Sequence, residues 1–208
     1  MSFSEVLLIM FGAIMVENFI FNKFYGCCPF LGVSDKPSTA LGMGMAVTFV
    51  MTVSGAVTWA VYYFLLKPFE LEYLRTIAFI LVIASVVQLI EMFLRKFVPA
   101  LYCSLGIYLP LITTNCAVLS SALLIIDNGY GFIEGVCFGF AAGLGFLLAI
   151  FVFAGVRERI VNADPPRAFK GMPLTLLAAG LLAMAFSAFS GVSFCCACGA
   201  VMLRRWHK

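Results

Sequence analysis

The stretch LPLITTNCAVL, residues 109–119, decides how this chain is read. It lies inside an apolar run from about 100 to 125. Pro110 removes a backbone donor. Thr113, Thr114 and Asn115 follow, and these side chains can satisfy backbone groups that a broken helix sets free. Cys116 comes directly after them. Broken backbone at membrane depth is tolerated only where it is buried in protein or lines a cavity. A second stretch, GCCPFLGVS at residues 26–34, has the same composition of break, small residues and cysteine between two apolar runs. Adjacent cysteines generally cannot both aim at one centre, and Pro29 after Cys28 favours Cys28 over Cys27 as the residue matching Cys116.

The surrounding composition explains why a break is costly here. Of 208 residues, 63% are hydrophobic and 11% charged, with mean hydropathy +1.09. Soluble domains carry about 25% charged residues, so this chain has too little polar surface for a soluble globule. It reads as a single integral-membrane domain, residues 1–208, in the lipid bilayer. The formal charge is only +3, and no basic stripe interleaved with aromatics points to nucleic acid. The opening MSFSEVLLIM has no basic n-region and reads as a retained span. Eight cysteines fall mostly in or beside apolar runs, which argues against an extracellular disulfide framework.

Six apolar segments, roughly 4–22, 40–66, 74–94, 100–125, 131–155 and 172–200, each approach the ~20 residues needed to span a bilayer. The loops after the first, third and fifth carry Lys23, Lys36, Arg95, Lys96, Arg157, Arg159, Arg167 and Lys170. The opposite side carries Lys67 and Arg75, with Arg204, Arg205 and Lys208 at the C-terminus. The positive-inside rule places the first set in the cytoplasm and both termini outside. A weak duplication is also legible. ALGMGMAVTF (40–49) matches CFGFAAGLGF (137–146), and CPFLG after Gly26-Cys27 matches CAVLS at 116–120. Three spans per half require the second half to run opposite to the first, as in transporters built from inverted repeats. The expected fold is therefore all-α and polytopic: six transmembrane helices as an inverted 3+3 repeat, about 4–97 and 100–200, with two interrupted helices.

Cys28 and Cys116 then face each other across a pseudo-two-fold axis. Two readings stand open from the residues alone. A buried free cysteine is ordinarily a small packing residue. Alternatively, a metal neutralises the thiolate. Iron–sulfur clusters take four thiolates, and this pair supplies two, so a similarly built partner would bring the rest. His207 is the single histidine, which removes bis-histidine haem, and no nucleotide-binding signature is present. Among carboxylates in or near apolar runs, Glu91 and Glu134 read as helix-end residues. Glu17 is the candidate for an ion or proton path. The Cys195/Cys196/Cys198 cluster reads first as small residues for helix packing.

Several stretches together carry a resemblance: CPFLGVS, TALGMGMAVTFVMT (39–52), EYLRTIAFILVIA (72–84), LPLITTNCAVL and AGVRERI (154–160). Over roughly residues 5–191 the chain resembles the NqrDE/RnfAE family. These are membrane subunits of the Rnf ion-translocating oxidoreductase and of the sodium-pumping NADH:quinone oxidoreductase. The CPFLGVS form sits closer to the Rnf branch. The resemblance implies a bacterial inner-membrane subunit of a complex that couples ferredoxin–NAD electron transfer to Na⁺ or H⁺ movement. It implies a homologous RnfE-like partner of opposite orientation, alongside RnfB, RnfC, RnfD and RnfG. It further implies a [2Fe–2S] cluster held jointly, with Cys28 and Cys116 at the matching ligand positions here. Cys27 and the tail VSFCCACGAVMLRRWHK depart from the family pattern and inherit no role. A secondary transporter with an ion or substrate site at the same broken helices, and a scaffold for other redox subunits, are the rival readings.

Overall fold

The computed structural model describes residues 18–34, 37–67, 72–97, 109–161 and 171–188, together with Met10 and Ile14. The described secondary structure is helical. The elements are α1 (Cys27–Gly32), α2 (Pro37–Val61), α3 (Arg75–Phe97), α4 (Leu109–Thr113), α5 (Cys116–Asp127), α6 (Phe132–Val161) and α7 (Met172–Ala188). A π-helical turn, Tyr62–Leu66, extends α2, and a 3₁₀ turn, Glu72–Leu74, leads into α3. Among the described residues, three helices are long and apolar enough to cross a membrane: Pro37–Leu66, Arg75–Phe93 and Phe132–Ile160. These are the second, third and fifth of the six expected segments. The fourth is split into α4 and α5. The first span and the tail cysteines lie largely outside the described residues.

The centre of the molecule is the pair α2 and α6. As residue numbers rise along α2 they fall along α6: Gly44 meets Leu147, Thr48 meets Gly143, Met51 and Thr52 meet Gly139, and Gly55 meets Gly135. The helices are therefore antiparallel and touch along four successive turns. Gly135, Gly139 and Gly143 recur every four residues, so one face of α6 is nearly bare backbone. In lipid, helices gain nothing by hiding apolar side chains from one another, and small residues that allow close packing drive association. A Cβ at position 143 would come within 2.6 Å of Thr48 Cα, and one at position 139 within 3.2 Å of the Met51 carbonyl oxygen. The glycine patterns thus serve close helix contact, as their spacing suggests.

Two sets of contacts tie the loops into two ends. At one, Arg75 pairs with Asp127 at 2.7 Å and Trp59 Nε1 donates to the Tyr130 carbonyl at 3.0 Å. This joins the end of α2 and the start of α3 to the Asp127-Asn128-Gly129 turn and the residue after it. At the other, Arg157 donates to the Leu31 carbonyl at 2.8 Å and to Ser34 Oγ at 2.9 Å. Phe30 stacks on Phe153, with centroids 4.2 Å apart. The segment after the first expected span is thus tied to the C-terminal part of α6, and the α2–α3 junction to the turn between α5 and α6. α3 packs at the edge, with Ile77, Ile80, Leu81, Leu89, Met92 and Phe93 exposed, a surface suited to lipid or to another protein.

Replacing Gly143 by alanine is expected to destabilise the protein by about 1–3 kcal/mol, because the obstacle is backbone and cannot rotate away. Gly155 meets nothing within 4 Å, so Gly155→Ala should be neutral or gain up to about 1 kcal/mol from helix propensity. Thermal unfolding in detergent measures both.

Candidate functional site

The two expected breaks are present, but neither falls on its proline. Pro110 lies in the short helix α4 and Pro29 in the first turn of α1, where a missing N–H costs little. The interruptions precede or follow them. One runs from Asn18 to Gly26, and the other is Thr114–Asn115 between α4 and α5. An asparagine organises each. Asn18 Oδ1 accepts from Ile20 N at 3.1 Å, and Asn115 Oδ1 accepts from Ala117 N at 3.0 Å. Asn115 is the N-cap of α5, a favoured role for this side chain. Asn18 and Asn115 are separated by the same number of residues as the two glycine-rich helices. Cys28 and Cys116 are not. The asparagines share that spacing and the cysteines do not.

Both breaks sit halfway along α6. Asn18 Nδ2 donates to the Gly145 carbonyl at 3.0 Å, and a Cβ on Gly26 would strike the Phe146 ring at 2.8 Å. α6 has 30 residues and is about 45 Å long at 1.5 Å per residue, so Gly145 and Phe146 mark its middle. The breaks also meet each other there. Gly26 N donates to Cys116 Sγ at 3.2 Å across the two halves of the chain. A Cβ at position 26 would also press on Asn115 Oδ1 and the Ala117 methyl. Gly26 has φ +84, which L side chains rarely adopt, and Phe24 is also left-handed at φ 55. Tight, partly strained backbone is thus what carries the Gly26 amide to the sulfur.

Three thiols gather around this point. Cys27 is half-buried and donates to the Phe24 carbonyl at 2.8 Å. Cys27 and Cys28 directly follow Gly26, whose amide meets Cys116 Sγ. Cys28 and Cys116 are exposed. A thiol turned back onto its own loop is poorly placed to reach outward, so Cys28 and Cys116 are the pair open to something beyond this chain. Among the described residues, no group of three or more His, Cys, Asp or Glu side chains could hold a metal ion alone. This chain offers two sulfurs, one already holding an N–H donor, and a neighbouring buried amide, Asn115 Nδ2, with no partner among the described residues. That set matches half of an iron–sulfur ligand shell.

Glu17, the candidate for an ion path, lies outside the described residues, as do Cys103 and the tail cysteines. Glu134 sits at the start of α6, where its carboxylate accepts from Gly131 N at 3.0 Å, a helix-end role. Asn115 was expected to satisfy freed backbone groups, and it does so as the cap of α5; the organiser that sequence reasoning passed over is Asn18. Its signal was the recurrence of a lone asparagine at the repeat spacing of the glycine-rich helices.

An α-helical membrane protein in which two non-helical segments meet beside the middle of α6, with an open pair of cysteines there, is the class this geometry defines. The chain belongs to the family described as "Rnf-Nqr subunit, membrane protein", whose model matches residues 6–193. It is 57% identical to the A subunit of the ion-translocating oxidoreductase complex of Syntrophotalea carbinolica, covering 90% of this chain and 97% of that protein. It is 56% identical to the A subunit of the Na⁺-translocating ferredoxin:NAD⁺ oxidoreductase complex of Acetobacterium woodii, with the same coverage. The corresponding protein of an Azoarcus species is 51% identical over 91% of this chain and 98% of its own length.

Gly26→Ala is expected to lower thermal stability. The left-handed backbone alone costs about 1–2 kcal/mol for a residue with a Cβ, and the clash with Phe146 adds to it. Maleimide labelling of Cys116 in the isolated protein should become faster, because the amide that holds its sulfur is displaced.

Proposed function

We propose that this chain is the RnfA-type component of a redox-driven ion pump in the bacterial cytoplasmic membrane. The pump would couple ferredoxin–NAD electron transfer to movement of Na⁺ or H⁺. In it, Cys28 and Cys116 supply two thiolates to a [2Fe–2S] cluster completed by a homologous RnfE-like protein of opposite orientation. The names of the relatives support the complex. The observation that carries the site is the Gly26 N–H to Cys116 Sγ contact, which brings the cysteine-bearing segments together halfway through the bundle.

Each residue has a task in this reading. Cys28 and Cys116 face outward, so a second protein can approach both. Gly26 permits close backbone approach and gives its N–H to one sulfur. Arg157 holds the far end of α1 through the Leu31 carbonyl and Ser34, which fixes the helix that bears Cys28. Such a cluster supplies one-electron transfer. The chain's own contribution is to hold its ligands, keep lipid away and set the electrostatic surroundings. The antiparallel α2–α6 pair and the equivalent asparagines support the inverted 3+3 repeat. With it, both termini lie on the outer face.

Cys28→Ser and Cys116→Ser, introduced separately into the complex, should each abolish one [2Fe–2S] signal in reduced-state EPR while the other components remain assembled. Cys27→Ser should leave that signal in place. Wild-type spectra from both ligand variants would refute the assignment and favour a transporter or scaffold role.

A further inference from the structure

Three buried side-chain atoms have no hydrogen-bond partner among the described residues: Ser54 Oγ, Thr58 Oγ1 and Asn115 Nδ2. The two hydroxyls are ordinary helix residues. A turn about χ1 lets such a side chain donate to the carbonyl four residues back, as Thr48 and Thr52 do here. Asn115 has no such freedom. Its oxygen is committed to Ala117 N as the cap of α5, and a planar amide with a fixed oxygen has a fixed nitrogen. The residue is 4% exposed, so bulk solvent does not serve the N–H groups. A buried amide without a partner costs about 1–3 kcal/mol.

Asn18 supplies an internal comparison. It makes the equivalent acceptor bond to the residue two positions on. Yet its nitrogen is fully used, donating to the carbonyls of Ile14 at 3.3 Å and Gly145 at 3.0 Å. The two breaks thus share one device and differ in a single respect. The asparagine with idle donors is the one next to a candidate ligand cysteine and packed against Gly26.

Resting on the cluster reading above, we propose that the Asn115 side-chain amide, which reaches neither Cys28 nor Cys116 Sγ in the chain alone, donates a hydrogen bond to an inorganic sulfide or a partner thiolate of the [2Fe–2S] site, and that Asn115 is a residue that sets its potential. The cap bond holds Asn115 in place, while Gly26 N–H already serves Cys116 Sγ. Reduction adds negative charge to the sulfurs, and an N–H dipole aimed at them stabilises the reduced form more than the oxidised one. Hydrogen bonds to the sulfurs are among the main settings of such potentials.

The test is an EPR-monitored redox titration of the assembled complex. Asn115→Ser keeps an oxygen that can cap α5 and removes both amide donors. The expected result is an assembled cluster whose midpoint moves to more negative potential. Asn18→Ser removes the amide at the other break and should lower the yield of complex without moving the midpoint. An unchanged midpoint in Asn115→Ser, or an equal shift in Asn18→Ser, overturns the proposal. Should Asn115→Ser fail to assemble, wild-type complex carrying side-chain ¹⁵N-asparagine gives a second measurement. Pulsed EPR of the reduced cluster should show a nitrogen coupling that changes with the isotope, and its absence overturns the proposal equally. A wild-type complex with no [2Fe–2S] signal from this site would instead refute the cluster reading itself.

Discussion

A helix broken inside an apolar bundle exposes backbone donors and acceptors where water cannot reach them, and the structure is organised around satisfying those groups at two breaks in one place. Each unsatisfied group in hydrocarbon costs several kcal/mol. The breaks therefore cannot face lipid and cannot lie apart from neighbours that offer partners. Asn18 and Asn115 answer the local need, each closing a turn with its oxygen. The middle of α6 holds them in place, its Gly145 carbonyl accepting from Asn18 Nδ2 and its Phe146 ring lying close against Gly26. With the breaks forced to the same height and against the same helix, their cysteines become neighbours although they are far apart in sequence.

The α2–α6 pair makes this convergence possible. Glycines at 44 and 55 on one helix, and at 135, 139 and 143 on the other, let the two backbones nearly touch. A pair so close leaves little room for the helices to slide, and it gives the breaks a rigid reference. The same closeness makes the pair intolerant of added methyl groups. Arg157 and Arg75 then act from opposite ends. Each charge is held by oxygen partners from another segment, so the loops are fixed where the spans leave the apolar zone.

Much of this was legible in the chain. Hydropathy gave the membrane class and the extents of α2, α3 and α6, because long apolar runs have few alternatives. The glycine spacing announced close packing. The position of the breaks was less legible. Proline is a strong punctuator of helices, and Pro29 and Pro110 drew attention to themselves, yet both lie near the start of a helix where the missing N–H is harmless. An asparagine carries a weaker signal, since only the neighbouring donors decide whether its oxygen caps a helix. The near match of CPFLG to CAVLS was persuasive on composition, but helix register belongs to Asn18 and Asn115. The contact between Gly26 and Cys116 has no sequence signature, because it is made by tertiary packing between two halves.

The displacement of the cysteines from the repeat register has a consequence for what they face. If Cys28 and Cys116 occupied equivalent positions about a two-fold axis, they would point at one another across it and invite closure within the chain. Instead Cys116 opens α5 directly at its break, while Cys28 lies within α1 after a longer loop. Cys27, the residue between Gly26 and Cys28, turns its thiol back to Phe24. The result is a pair of exposed sulfurs on one side of a bundle whose interior is otherwise closed at that height by Phe146, Ala117 and Asn115. Two sulfurs are half of the four thiolates that an iron–sulfur cluster takes. The two asparagines differ in the same place: Asn18 is fully bonded inside the chain, while the buried Asn115 Nδ2 has no partner among the described residues.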